Sequence, residues 1–219
     1  MPTTTTTTIA NDLLRLQAVF LRPDQPCTWA SGIKSPIYCD TRLTLSDPAV
    51  RLDVENGLAQ LVREHYPTAE ILMGTSTAGI AHAAITAHLL GLPMGYVRSS
   101  AKDHGRQNLI EGRLLPGQRA VVVEDLISTG GSVISTVEAL REAGAEALGI
   151  VSIFTYGMAK AAARLAAAQV KNVSLTDLDT VAAVAAREGY IQAVDVKRLL
   201  QFRDDPSDES WINNREVLA

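Results

Sequence analysis

Apolar positions along the chain follow two different spacings. Leu13, Leu16, Val19 and Phe20 share a helical face and predict a first helix over 9–20, closed by Pro23 and Pro26. A turn at 31–36 feeds a short strand at 37–41. A second helix starts near Asp47, with Pro48 in its first turn, and runs to about His65. Strands follow at 70–73, 93–98, 119–124 and 147–154, and the unbroken apolar run Val121–Val123 has the pattern of a strand buried on both faces. Between them lie a helix at 80–90, stopped by Gly91, and another at 132–143. In the latter Val133, Val137 and Leu140 fall about a turn apart and Gly144 marks the end. Strand, helix and strand thus alternate twice. That order predicts βαβ units in a parallel sheet, with right-handed crossovers and helices on both faces.

The tail reads as helices at 158–168, 177–188 (Thr176 as cap, Gly189 as stop) and 193–203 around a short strand near Val173. From Asp204 the charge and Pro206 predict a surface-hugging end, and residues 3–8 are a low-complexity threonine run. The expectation is one α/β domain in three parts: a small N-terminal element at 1–66, a sheet core at 67–156 and a helical part at 157–219.

Ligands in such sheets bind beyond the carboxyl ends of the strands. Two loops of small residues fall there, 74–79 and 124–132, and should face one site. The second belongs to V-V-V-E-D-L-I-S-T-G-G-S-V at 121–133. Its glycines let the backbone approach an anion, and the helix that follows offers unpaired N–H donors and a positive dipole end. Hydroxyls at Ser128, Thr129 and Ser132 add hydrogen bonds worth roughly 1.5–3 kcal/mol each to a charged acceptor. Glu124 and Asp125 can accept from sugar hydroxyls or stand beside a divalent cation. Phosphate plus diol indicates a sugar phosphate. Two other phosphate motifs are excluded: no lysine follows Gly130 or Gly131, Ile80 stands where a Walker lysine would follow 74–79, and no strand is followed by G-x-G-x-x-G.

Composition narrows the partners. A net charge of −4 argues against general nucleic-acid binding. Cys27 and Cys39 have neither disulfide-framework nor zinc spacing and read as buried small residues in a reducing compartment. No stretch approaches transmembrane length and no apolar signal core opens the chain, so a cytoplasmic protein is expected. His82 and His88 sit six apart on one helix and form no metal pair, and His65 ends another; all three read as structural.

Residues 99–111 form a polar loop with almost nothing apolar, and its cations Lys102, Arg106 and His104, with Arg98 at its base, suit a diphosphate. The 121–133 arrangement resembles the phosphoribosyl diphosphate (PRPP) signature of the type I phosphoribosyltransferases. T-W-A-S-G-I-K-S-P-I-Y-C-D at 28–40 and R-S-S-A-K-D-H-G at 98–105 resemble the orotate phosphoribosyltransferases in particular, and the likeness runs from about Leu14 to Trp211. The resemblance implies the type I phosphoribosyltransferase fold, with an N-terminal hood over a PRPP-binding core. It also implies transfer of phosphoribose to orotate, with Mg²⁺ required and held mainly through substrate oxygens and water. By it, Glu124, Asp125, Leu126, Ile127, Ser128, Thr129, Gly130, Gly131 and Ser132 bind PRPP, and Ser128 lies near orotate. Arg98 binds diphosphate, and Lys102 and His104 act catalytically on it from a mobile loop that reaches the neighbouring subunit of a homodimer. The backbone of Tyr38 and Cys39 falls near the orotate ring.

The chain departs from many relatives in ways that remove positive charge. Ala30 stands for a lysine, Ser99 and Ser100 follow Arg98 where a second basic residue is common, Thr77-Ala78 replace Tyr-Lys, and an orotate-contacting arginine falls near Tyr156. Lys34 is the candidate substitute. Two other readings stand beside this one. A phosphoribosyltransferase for another base would not account for 28–40 or K-D-H-G, and a PRPP-sensing nucleic-acid regulator would need a basic face.

Overall fold

The computed structural model describes residues 5–29, 32–99 and 109–214. Helix α1 (Thr5–Arg15) ends earlier than its apolar spacing predicts. Gln17 takes a left-handed φ of 54°, and Val19 and Phe20 pass into strand β1 (Val19–Leu21). β-Branched and aromatic residues suit a strand equally well once a partner is present. That partner is β4 (Ile37–Cys39), paired antiparallel with β1, while β2 (Cys27–Thr28) and β3 (Lys34–Ser35) form a second small hairpin. These strands and a 3-10 turn, Thr41–Ser46, make the hood. Cys27 and Cys39, expected to be buried, are half-buried free thiols because both lie in these short strands.

Helix α2 (Pro48–His65) begins where expected, Asp47 capping it by accepting from the amides of Ala49 and Val50 at 3.0 and 3.1 Å. The chain then runs β5 (Ile71–Thr75), α3 (Ala78–Leu90), β6 (Met94–Val97), β7 (Ile110–Glu111), β8 (Arg119–Ile127), α4 (Gly131–Glu142), β9 (Glu146–Thr155), α5 (Ala159–Ala167), β10 (Asn172–Asp177), α6 (Leu178–Arg187) and α7 (Ala193–Asp204). The central sheet has the order β10-β9-β8-β5-β6-β7, parallel except at β7, which pairs antiparallel with β6 at the edge. From β5 the chain steps outward to β6, then returns to place β8 on the other side of β5. The order reverses between β5 and β8, where an open α/β sheet forms its ligand crevice.

Alternate residues of the strands feed two cores. Leu72, Val121, Val123 and Val151 pack with α1, α2, α3, α6 and α7. Ile71, Met73, Val122 and Ile150 pack instead with Val133, Val137 and Leu140 of α4 and Ala161 of α5. Two tail expectations change. Asp177, not Thr176, caps α6 by accepting from the Thr180 amide at 2.8 Å, and Thr176 is a buried strand residue. The end of the chain is not merely at the surface: Trp211, in the 3-10 turn Ser210–Ile212, is fully buried against Phe202.

Candidate active site

Strand β8 continues three residues beyond the expected end at 124. Its pairing with β9 persists through Leu126 opposite Phe154 and Ile127 opposite Thr155, and the Tyr156 amide donates to the Ile127 carbonyl at 2.9 Å. Pairing with β5 stops at Gly74 opposite Val123. Glu124 and Asp125 are therefore strand residues standing clear of β5 at the crevice. Glu124 shares the face of Thr75, whose hydroxyl donates to Glu124 Oε1 at 2.5 Å; the Asp125 amide donates to the same oxygen at 3.0 Å. Asp125 turns to the hood face, where the Thr41 hydroxyl donates to its Oδ2 at 2.5 Å. Burial, and then the adjacent Asp125, push the Glu124 carboxyl up to about 8, against the pull of the Thr75 hydroxyl and the Asp125 amide.

Beyond the acids, Leu126 and Ile127 turn their side chains into the two cores, leaving their backbone at the crevice. Ser128 and Thr129 are half-buried, and Gly130 takes φ 76°, a conformation costly for any residue with a Cβ. Gly131 and Ser132 are exposed at the start of α4, whose first amides have no helical acceptor. Arg164 of α5 donates from Nη1 to the Thr129 carbonyl at 3.1 Å, placing a cation beside this loop.

The 74–79 loop lies against the same crevice. A Cβ at Gly79 would collide with the Val123 carbonyl oxygen and Thr75 Oγ1, so only glycine lets α3 start this close to β8. Ser76 is held by its amide and hydroxyl, which donate to the Val97 carbonyl at 3.0 and 2.7 Å. Arg98 follows β6: its amide donates to the Leu109 carbonyl at 2.8 Å, and its half-buried guanidinium lies 3.9 Å from Glu111. The structure thus brings together Glu124 to Ser132 and the 74–79 loop, with Arg98 past the end of the neighbouring β6. Lys102, His104 and Arg106 lie outside the described residues, as do Ala30 and Ser31.

On the hood side Trp29 meets Tyr156 and Phe202 edge-on at 5.8 and 5.7 Å, and Tyr156 meets Phe154 at 5.1 Å. Burial raises the Tyr156 hydroxyl above its usual range, with Cys39, Cys27 and Tyr38 nearby. Trp29 and Ile33 line a pocket of about 310 Å³ with Thr129, Met158, Lys160 and Arg203. Tyr38 is exposed, and Lys34 donates to the Thr28 hydroxyl at 3.0 Å.

Among the described residues no three His, Cys, Asp or Glu groups gather as metal ligands. His82 is structural, buried with its Nδ1 2.6 Å from Glu55, while His65 and His88 are exposed. Three residues of the crevice carried no motif signal. Thr75 was visible only as one small residue of a loop, and Thr41 and Arg164 reach the site from distant elements.

Residues 44–186 match the phosphoribosyl transferase domain family. Over 204 residues the chain is 57% identical to an orotate phosphoribosyltransferase of Bacillus cytotoxicus, an alignment covering 93% of this chain and 97% of that one. The chain belongs to the orotate phosphoribosyltransferases. Among solved structures, the orotate phosphoribosyltransferase of Aeropyrum pernix is 29% identical with a TM-score of 0.73, covering 84% of this chain and 99% of its own. UMP synthase of Leishmania donovani is 27% identical with a TM-score of 0.78 over 90% of this chain, which spans 42% of that longer protein. Membership accounts for the pairing of a phosphate loop with two acids at a sheet crevice.

Proposed function

We propose that the chain transfers the phosphoribosyl group of PRPP to orotate, giving orotidine 5′-phosphate and diphosphate in pyrimidine biosynthesis. The observation that carries this is the pair Glu124 and Asp125 at the β5–β8 crevice, directly preceding the 128–132 loop at the start of α4. A 5′-phosphate seated on the amides and hydroxyls of 128–132 puts the ribose diol within reach of the two carboxylates. The opposite end of PRPP then faces the 75–78 loop and Arg98. During the reaction the bond from ribose C1 to diphosphate breaks and a bond from C1 to an orotate ring nitrogen forms, through a transition state with cationic ring character. The protein's work is to hold these groups in line and to stabilise charge.

Arg98, Lys102 and His104 stabilise the departing diphosphate, the last two from the 99–111 loop of the neighbouring subunit in a homodimer. Ser128 sits beside the base. Mg²⁺ fits this donor set, because two adjacent carboxylates without a third ligand suit an ion that keeps its waters and substrate oxygens, with Glu124 and Asp125 beside it. When bound, the ion neutralises charge on the diphosphate. A cytoplasmic enzyme without nucleic-acid or membrane partners agrees with the net charge of −4, and no described helix is long and apolar enough to cross a membrane.

The test mixes purified protein with PRPP, Mg²⁺ and orotate, and follows the loss of orotate absorbance. Adenine, uracil and hypoxanthine run in parallel with chromatographic detection of product. Turnover of orotate alone is the expected result. Turnover of a different base, or tight PRPP binding without turnover, would overturn the proposal.

A further inference from the structure

The two carboxylates are not free to choose their orientation. Each is engaged on one oxygen by a buried threonine hydroxyl, and the two threonines come from different elements, Thr41 from the hood and Thr75 from β5. Thr75, 1% exposed, is the last residue of β5 and leads into the 76–78 loop. Thr41, fully buried, opens the 3-10 turn of the hood, and its own carbonyl accepts from the Thr44 hydroxyl at 2.7 Å, which presets the turn. A hydroxyl that donates to one carboxylate oxygen fixes the plane of that carboxyl, and with it the direction from which a sugar hydroxyl is met.

We infer that Thr41 and Thr75 are positioning residues for ribose binding, Thr41 orienting Asp125 from the hood and Thr75 orienting Glu124 from the diphosphate side. The inference rests on the reading of Glu124 and Asp125 as the ribose-binding pair. It extends that reading by tying the elements at the two ends of the substrate to its centre. A shift of the hood changes the aim of Asp125 through Thr41, and a shift of the 76–78 loop changes the aim of Glu124 through Thr75. Among the described residues, Glu124 has Asp125 beside it, and Asp125 has Cys39 and the Asp40–Arg42 ion pair of the hood.

Valine and serine separate the hydroxyl from the packing, because valine keeps the shape and serine keeps the donor. PRPP affinity is measured by titration calorimetry with Mg²⁺ for wild type, Thr41→Val, Thr41→Ser, Thr75→Val and Thr75→Ser, with thermal melts confirming that each is folded. Both valine variants should bind PRPP roughly tenfold more weakly, the effect of one hydrogen bond to a charged group, while both serine variants stay within about twofold. Valine variants that bind like wild type, or serine variants that fall as far as the valines, would overturn the inference while leaving the site intact. Glu124→Gln and Asp125→Asn form the control arm. Full PRPP affinity in both would overturn the ribose assignment itself, and the inference with it.

Discussion

Replacing Arg198 by methionine should be among the most damaging single changes outside the crevice. Arg198 is 1% exposed and uses all five of its N–H donors. Nε donates to the Trp211 carbonyl at 3.1 Å. Nη1 donates to Asp24 at 2.8 Å and Asp195 at 2.9 Å, and Nη2 to the carbonyls of Pro23 at 2.6 Å and Ile212 at 2.9 Å. One guanidinium thus joins the β1–β2 loop of the hood to α7 and the C-terminal turn. Asp24, with a side chain 63% exposed, regains water when the arginine is lost and contributes little. Asp195 and the carbonyls stay largely dry, and methionine returns only the packing of the aliphatic stem. Removing one partner of such a buried pair costs about 3–5 kcal/mol. In a domain of this size that corresponds to a drop in Tm of about 6–20 °C, read by differential scanning calorimetry. Because Pro23 and Asp24 belong to the hood, KM for orotate should rise more than KM for PRPP. A Tm within about 2 °C of wild type would refute the reasoning, since it would mean the five bonds contribute under about 1 kcal/mol net.

Three shorter expectations follow. Glu124 keeps a proton when folded that it releases above about pH 4.5 when unfolded, so the stability from that proton is full below about 4.5 and is lost as pH rises through about 8. Urea unfolding of wild type and Glu124→Gln should show wild type losing ground between about pH 5 and 8.5, and a pH-independent difference would contradict this. Gly79→Ala should cost about 1–3 kcal/mol and weaken PRPP binding, because its Cβ meets the Val123 carbonyl; urea melts and calorimetry check both. Lys102→Ala should lower turnover by orders of magnitude in the orotate assay while PRPP binding survives, and turnover within about twofold of wild type would remove the 99–111 loop from the mechanism.

Much of the sheet core was legible because its residues answer to local rules. The β-branched run Val121–Val123 has no other good use than a buried strand, and Asp47-Pro48 and Gly91 punctuate helices by backbone chemistry alone. The misreadings occur where a distant partner decides. Val19 and Phe20 fit a helical face by spacing and become a strand because β4 lies alongside. The chain after Asp204 looks polar enough for the surface, yet Trp211 is drawn inside by Phe202 and by Arg198, which takes its carbonyl.

The acidic pair shows the same division at finer scale. Its identity and its place after an apolar run were enough to suggest a sugar-phosphate site, since few other chemistries need two adjacent acids ahead of a glycine turn. Its geometry was not, because that depends on where β8 stops. Had the strand ended at Glu124, Asp125 would have belonged to a loop, without the backbone support of β9. Pairing with β9 as far as Ile127 instead keeps Glu124 and Asp125 in extended backbone, their carboxyls near enough for Asp125 to raise Glu124 while each accepts from its own threonine. The fold supplies one threonine for each carboxyl, Thr75 from the strand next door and Thr41 from the hood. The adjacency readable in the sequence and the pair of threonines invisible in it are therefore consequences of one fact, the length of β8.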